Sequence, residues 1–438
     1  MINNYKISRY NHFININDQV YGYNFLTKSI IKINNNNLLK NADNILKKKF
    51  TKSEFHKYIS KSKKTFLDLY NSGFIIEAEF DEFSFIRQKY FNYIYDSTKI
   101  KLTIALTFKC NFDCPYCYQT KTNVEMKDST VSQLIKWIKN NSLNKKFLHI
   151  EWFGGEPLLK KDIILFITQE LKQFCEKQNI IYSSTLTTNG YLLSNKFISK
   201  VNDLSINTIH ITMDGNENYH NKYRKTVDKG PTFKKIYVNI LNYLKLKQEH
   251  QSLVLRINCS DDNYDSIFIL LERFPVSIRN KIEIYFRWIY PSKTKGHYIF
   301  AKSINDKKSF DKIAELYKYA CEKKWNIKNP ITDSNWCYCE ANVWNFYMID
   351  PDGKIFLCDQ MAEVGNIFQK EELSAKYISE MTKWYSYDIF DNSSCKKCKI
   401  LPLCLGGCRK KSLENKSSCI MEKKSLDQFI VTQINSSN

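Results

Sequence analysis

The chain has 438 residues, 43% of them hydrophobic, and carries 66 Lys and Arg against 45 Asp and Glu, a formal net charge of +21. That length can bury a large core and fits two or three domains. No run of about 18 apolar residues occurs, and the first ten residues lack the apolar stretch of a secretory signal, so neither a membrane span nor secretion is expected and the chain reads as cytoplasmic. The basic excess suits nucleic acid, a membrane surface or an acidic peptide as partner. An Asn-, Ile- and Lys-rich composition of this kind also follows simply from AT-rich coding DNA. Fourteen cysteines in a cytosolic chain favour metal over disulfides, and exposed clusters would require an anaerobic setting.

Residues 1–96 read as a small separate α+β module. Residues 5–14 and 19–33 alternate as strands, and 34–37 form a turn. Residues 38–50 and 53–72 read as helices, the second with Phe55, Tyr58, Ile59, Phe66, Leu67 and Tyr70 at helical spacing and Gly73 as its stop. Nine lysines between 40 and 64 face only Asp43 and Glu54.

From 97 to 300, strands and helices alternate. Candidate strands cover 102–107, 148–153, 181–187, 208–213, 253–258 and 281–287; candidate helices cover 129–141, 161–177, 195–201, 232–249 and 264–273. Alternation of this kind implies a parallel sheet with right-handed crossovers, and six units imply a partial (β/α)6 barrel, an α/β fold, rather than a closed eight-stranded one. The first strand runs into Cys110, Cys114 and Cys117, a C-x3-C-x2-C loop. Three thiolates can occupy three irons of a [4Fe–4S] cube and leave the fourth open to a small molecule. A structural zinc would need a fourth ligand that the loop does not offer.

Further motifs stand at the ends of later strands: Gly154-Gly155-Glu156; Thr187, Thr188, Asn189 and Gly190; then Thr212, Asp214 and Gly215, followed by His220 and Arg224. His149 and His220 read as structural. Residues 301–334 form a bridging helix and linker. The last segment, 335–438, holds a second cysteine series: Cys339, Gly353, Cys358, then Cys395-x2-Cys398-x5-Cys404-x3-Cys408, and Cys419. Zinc ribbons are an alternative for its C-x2-C part. Cys175, Cys259 and Cys321 read as inert buried thiols.

The C-x3-C-x2-C loop, with Tyr116 before its last cysteine, resembles the signature of radical S-adenosylmethionine (SAM) enzymes. The resemblance implies that SAM chelates the open iron, that an electron cleaves it, and that a 5′-deoxyadenosyl radical abstracts hydrogen from substrate. It also implies that Gly154, Gly155 and Glu156 hold the SAM amino group, that Thr187 and Asn189 meet ribose or substrate, that Thr212 meets the ribose and that Arg224 meets the carboxylate. The downstream series resembles the cysteine-rich SPASM extension. Carried over, Cys339, Cys358 and Cys408 hold a first auxiliary cluster and Cys395, Cys398, Cys404 and Cys419 a second, for three [4Fe–4S] clusters in all. Cys337 completes the first cluster, shares its iron with Cys339, or stands aside and leaves an open iron.

Relatives that oxidise cysteine or serine to formylglycine use an aspartate where Asp359 stands as proton acceptor; a surface role or a hydrogen bond beside the cluster is the plainer reading. The N-terminal module resembles a leader-peptide recognition domain, or else is a packing extension. The function implied is hydrogen abstraction from a ribosomally synthesised precursor peptide to give a thioether or carbon–carbon crosslink, with flavodoxin or ferredoxin as electron donor and no nucleic acid. Formylglycine formation on a sulfatase is the enzyme alternative. A non-enzymatic iron–sulfur electron carrier or nucleic-acid scaffold is favoured by the charge but not by the SAM-site motifs.

Overall fold

The computed structural model describes residues 4–33, 50–51, 63–119, 122–201, 203–289, 307–327, 336–369, 375–416, 418–420, 423 and 425–437. Met1–Tyr95, Pro330–Asn342 and Ser386–Asn438 make one compact unit; Asp96–Asn329 and Val343–Tyr385 make the other.

In the first unit β1 (Asn4–Ile7) lies between β5 (Phe50–Thr51) and β6 (Ile75–Glu77), and β2 (Asn11–Ile16), β3 (Gln19–Asn24) and β4 (Ile30–Ile33) form an antiparallel meander. The strands expected over 5–14 and 19–33 are each two. The first breaks because Ser8 and the Arg9 amide turn inward to the buried Glu82 carboxylate, at 2.5 and 3.1 Å. The second breaks where the buried Asn24 side chain accepts from the Leu26 and Thr27 amides and donates to Asn11 Oδ1. Helix α1 (Lys63–Asn71) ends at Gly73, whose φ of +75° only glycine adopts readily. The remainder of the expected helices, 38–49 and 53–62, lies outside the described residues, as do seven of the nine lysines.

Helix α2 (Glu82–Ile94) was not expected from the pattern. Asp81 caps it by accepting from the Phe83 and Ser84 amides, and Ile86, Tyr90 and Ile94 recur every fourth residue on its buried face. The C-terminal part of the same unit packs there. The Phe390 ring meets those of Phe83, Tyr90 and Phe91 at 5.4, 5.5 and 5.9 Å. Arg409 donates to the Tyr90 hydroxyl at 2.9 Å, and Arg87 pairs with Asp388 at 2.7 Å.

The second unit is built on one ten-stranded sheet. Strands β7 (Lys99–Ala105), β8 (Phe147–Phe153), β9 (Ile181–Thr188), β10 (Ile206–Met213), β11 (Ser252–Cys259) and β12 (Glu283–Trp288) run parallel in sequence order, as expected. Between them come α3 (Asp128–Ser142), α4 (Lys161–Lys177), α5 (Asn195–Val201), α6 (Glu217–Tyr223), α7 (Phe233–Leu246) and α8 (Tyr264–Arg273). The barrel is open: β12 pairs onward with β13 (Asn326–Ile327), and β7 with β14 (Phe346–Ile349). From β14 the sheet continues antiparallel into β15 (Lys354–Phe356) and β16 (Gly365–Asn366). Pairing both edges satisfies backbone groups that would otherwise be exposed.

Burial alternates along β8, β9, β10 and β12, whereas β7 and β11 are buried at most positions. Leu148, Ile150 and Trp152, then Ile209, Ile211 and Met213, then Leu253, Leu255 and Ile257 are buried. The intervening positions, among them Glu151, Thr187, His210, Thr212, Arg256, Tyr285 and Arg287, are half-buried and mostly polar. A parallel sheet covered on both faces reads as continuous apolar runs. This alternation marks one face as a polar, water-accessible wall.

Candidate active site

The Cys110–Cys117 loop is held on four sides by the second unit. Its entry pairs with residues 124–126 through the Phe108 and Met126 amides, at 2.9 Å each. On the other side the Gly155 and Glu156 amides donate to the carbonyls of Thr107 and Lys109, both at 2.9 Å. A Cβ at Gly155 would stand 2.2 Å from the Lys109 oxygen, and one at Gly154, where φ is +120°, 2.4 Å from the Thr107 oxygen. The glycines are therefore required by the approach of the cysteine loop. Further along, Asp113 donates to the Lys225 carbonyl at 2.8 Å and Val227 to that of Asn111 at 3.0 Å. The Asn189 amide group donates to Asn111 Oδ1 at 2.8 Å and lies 4.0 Å from Cys110 Sγ.

Glu156 is wholly buried. Its carboxylate accepts from Thr188 Oγ1 at 2.6 Å, the Asn189 amide at 2.8 Å and the Leu158 amide at 3.0 Å. Burial pushes its pKa up, and these donors oppose the shift. The Glu156 side chain thus ties the end of β8 to β9, and Asn189 ties β9 to the cysteine loop. Thr187 donates to Glu151 at 3.1 Å on the polar wall, and Thr212 stands half-buried on the same face of β10.

Tyr116, Asp214 and Arg224 meet in one cluster. Arg224 Nη1 donates to the Tyr116 hydroxyl at 2.8 Å, the hydroxyl donates to Asp214 Oδ2, and Arg224 pairs with Asp214 at 3.6 Å. Both charged side chains are buried, and the guanidinium lies 5.7 Å from the Phe112 ring centre. Burial opposes the arginine's charge, but Cys114, Asp214, Cys110 and Cys117 outweigh it and raise its pKa. The guanidinium is joined to the cysteine loop through Tyr116 and lies against Phe112 of the same loop. Its Nε is buried without a partner among the described residues. An unpaired buried N–H is costly unless a ligand meets it.

His220 behaves as expected of a structural residue. Its Nδ1 accepts from the Asp214 amide at 3.4 Å and its Nε2 meets Thr232 Oγ1 at 3.1 Å, while Thr232 donates to the Arg224 carbonyl. Burial, with Arg224 nearby, holds its pKa well below the usual histidine value, so the ring is neutral. His149 is engaged by Ser183 and Thr185 on the polar wall. Of the remaining thiols, Cys175 and Cys259 are buried and Cys321 half-buried.

Asp359 follows Cys358 in the second unit, and its carboxylate lies 3.5 Å from the Cys358 sulfur. Tyr118, just after Cys117, is 40% exposed. Sequence reasoning did not single out Arg256 or Glu151; the signal was present as charged residues at alternate positions of β11 and β8.

In the first unit, Cys395 and Cys398 stand on one turn, and Cys404 and Cys419 flank the close approach of Gly407 to Ser418. Asn392 caps the turn that bears Cys395, and the Cys398 amide returns to the Cys395 carbonyl at 3.0 Å. Gly407 passes so close to Ser418 that a Cβ would meet its carbonyl at 1.9 Å, which brings Cys419 in beside Cys404. Burial pushes the Cys404 thiol up to about 12, and Cys419, Cys395 and Cys398 add to the rise. Lys423 lies 3.7 Å from Cys419. In the same unit Cys337 is buried and donates to the Cys339 carbonyl at 2.9 Å, burial pushing its thiol up to about 12; Cys408 precedes the helical turn of Arg409. Among the described residues no three His, Cys, Asp or Glu gather tightly enough for a single metal ion. A four-iron cube instead spreads its thiolates over separate irons.

Residues 104–266 match the family model described as the Radical SAM superfamily. The radical SAM cyclopropyl synthase TigE of Paramaledivibacter caminithermalis is 23% identical over 379 residues, 78% of this chain and 75% of that protein. A cysteine-type anaerobic sulfatase-maturating enzyme of Clostridium perfringens is 22% identical over 339 residues, 69% of this chain and 86% of its own. The solved structure of Streptococcus suis SuiB bound to its precursor peptide SuiA superposes with a TM-score of 0.52 at 15% identity, covering 96% of this chain and 99% of that one.

Proposed function

This chain is an enzyme carrying a radical SAM domain, and from that premise we propose that it abstracts hydrogen from a ribosomally made peptide to form a thioether or carbon–carbon crosslink. When bound, a [4Fe–4S] cluster supplies the electron that cleaves SAM, and SAM supplies the hydrogen abstraction. Cys110, Cys114 and Cys117 would hold that cluster, and their framed loop fits it. The observation that carries the reading is Arg224: a buried guanidinium bonded to Tyr116 of the cysteine loop and 5.7 Å from the Phe112 ring of the same loop, with an Nε–H that has no partner among the described residues. Tyr116, Gly154, Gly155 and Thr212 would line the rest of the SAM site, largely through backbone and hydroxyl groups.

Two auxiliary clusters complete the proposal, the second on Cys395, Cys398, Cys404 and Cys419. Loading it would displace the protons that burial favours on the Cys395 and Cys404 thiols. We retain residues 1–96 as leader recognition, 97–300 as the catalytic barrel, 301–334 as its bridge and 335–438 as the auxiliary-cluster segment. A small flavodoxin or ferredoxin is the proposed electron donor. Likeness to a sulfatase-maturating enzyme, and to the fold of SuiB, whose solved structure holds a precursor peptide, supports a polypeptide substrate.

The place of Asp359 directly after Cys358, its carboxylate 3.5 Å from that sulfur, favours one second reading, formylglycine formation, with Asp359 as the base. Coexpression with candidate precursor peptides and with a sulfatase, followed by mass spectrometry, separates the two. A loss of two hydrogens with a new linkage within a peptide supports crosslinking. An aldehyde at a sulfatase cysteine or serine supports the alternative.

A further inference from the structure

Arg224 touches Asp214 and Tyr116 through Nη1 alone, at 3.6 and 2.8 Å. In a guanidinium, Nε–H and Nη2 share one edge, and that edge makes the two parallel bonds that match a carboxylate. Nη1 lies outside it. Here the Nη1 corner is occupied by the chain, while Nε has no partner among the described residues. The arginine is therefore anchored by the corner that a ligand does not need.

The anchor itself is rigid. Asp214 directly follows β10, its amide donates to His220 and its carbonyl accepts from Asn263 Nδ2 at 3.1 Å. Its side chain is wholly buried, and Gly215 after it has a φ of +108° with Ser266 packed against it. Tyr116, between Cys114 and Cys117, is fixed by the same carboxylate. One residue thus sets both the arginine and the cysteine loop.

We propose that Asp214 is a positioning residue: it turns the Nε edge of Arg224 toward the SAM carboxylate and offsets the arginine's charge beside the cluster cysteines. The inference rests on the reading of Arg224 as the carboxylate contact. A cationic group near an iron–sulfur cluster favours its reduced, more negative form, so an adjacent anion keeps the potential low. Without Asp214 the arginine is both misplaced and uncompensated.

The test uses full-length, anaerobically reconstituted protein in four forms: wild type, Asp214→Asn, Arg224→Ala and the double variant. SAM affinity and the midpoint potential of the SAM-binding cluster are measured in each. Asp214→Asn is expected to weaken SAM binding about tenfold and shift the potential positively. In the Arg224→Ala background it is expected to change affinity by less than about twofold, since both act through one contact. Should Asp214→Asn fail to hold the cluster, recovery of iron in the double variant supports the proposal, and iron loss in both overturns it. Unchanged affinity and potential in Asp214→Asn, or full additivity in the double variant, also overturns it. If Arg224→Ala alone binds SAM like wild type, the carboxylate reading has failed first, which is a distinct result.

Discussion

Gly155 lies so close to Lys109 that a single added methyl would stand 2.2 Å from the Lys109 carbonyl oxygen. The strand-end glycine and the cysteine loop are in backbone contact, so neither moves without the other. Gly155→Ala should displace the loop while leaving the sheet intact. The expected result is loss of about four irons per chain and of SAM cleavage, with little change in circular dichroism. A Gly155→Ala protein with full iron content would show that the loop has slack.

The convergence of Cys404 and Cys419 makes a second, separable prediction. Cys419→Ala should cost about four irons through the second auxiliary cluster yet spare the cleavage of SAM. Product formation should fall. Iron content equal to wild type would contradict the proposed ligand set.

His149 gives a pH dependence. Burial lowers its pKa from 6.5 to about 4, with Lys101 adding to the fall. The unfolded chain therefore binds a proton more readily than the native one. Its stabilising effect is present above about pH 6.5 and is lost as pH falls toward 4. His149→Asn should flatten this part of the denaturation midpoint curve between those values. An identical slope in the variant would place the titration elsewhere.

The six parallel strands were legible because alternating polarity and intervening helices repeat over residues 99–288. The three strands from Phe346 onward were not: they have two to four residues each and gain their stability by joining the open β7 edge. Helix α2 was missed because Arg87, Gln88, Lys89 and Asn92 dilute its apolar spacing. Among site residues, the Cys110, Cys114 and Cys117 loop stood out by its spacing, whereas Arg224 was expected only from the resemblance to radical SAM enzymes. Glu156 and Asn189 were expected at the ligand. Their bonds to Thr188 and Asn111 join residues 32 and 78 positions apart, which no local pattern reveals.

The first 96 residues are proposed to recognise a leader. Edge strands there offer main-chain bonds to an extended peptide, and basic residues would steer an acidic one. Deleting residues 1–90 should abolish leader binding, measured by fluorescence anisotropy, and leader affinity for the full chain should fall with rising salt. Binding that survives the deletion, or that ignores salt, would remove this role.

The central claim is tested most directly by product release from SAM. Anaerobically reconstituted protein should hold roughly twelve irons per chain and, given strong reductant and SAM, release 5′-deoxyadenosine and methionine. The variant with Cys110, Cys114 and Cys117 all changed to alanine should keep about eight irons and release none. 5′-Deoxyadenosine from that triple variant, or none from the fully loaded wild type, would contradict the account.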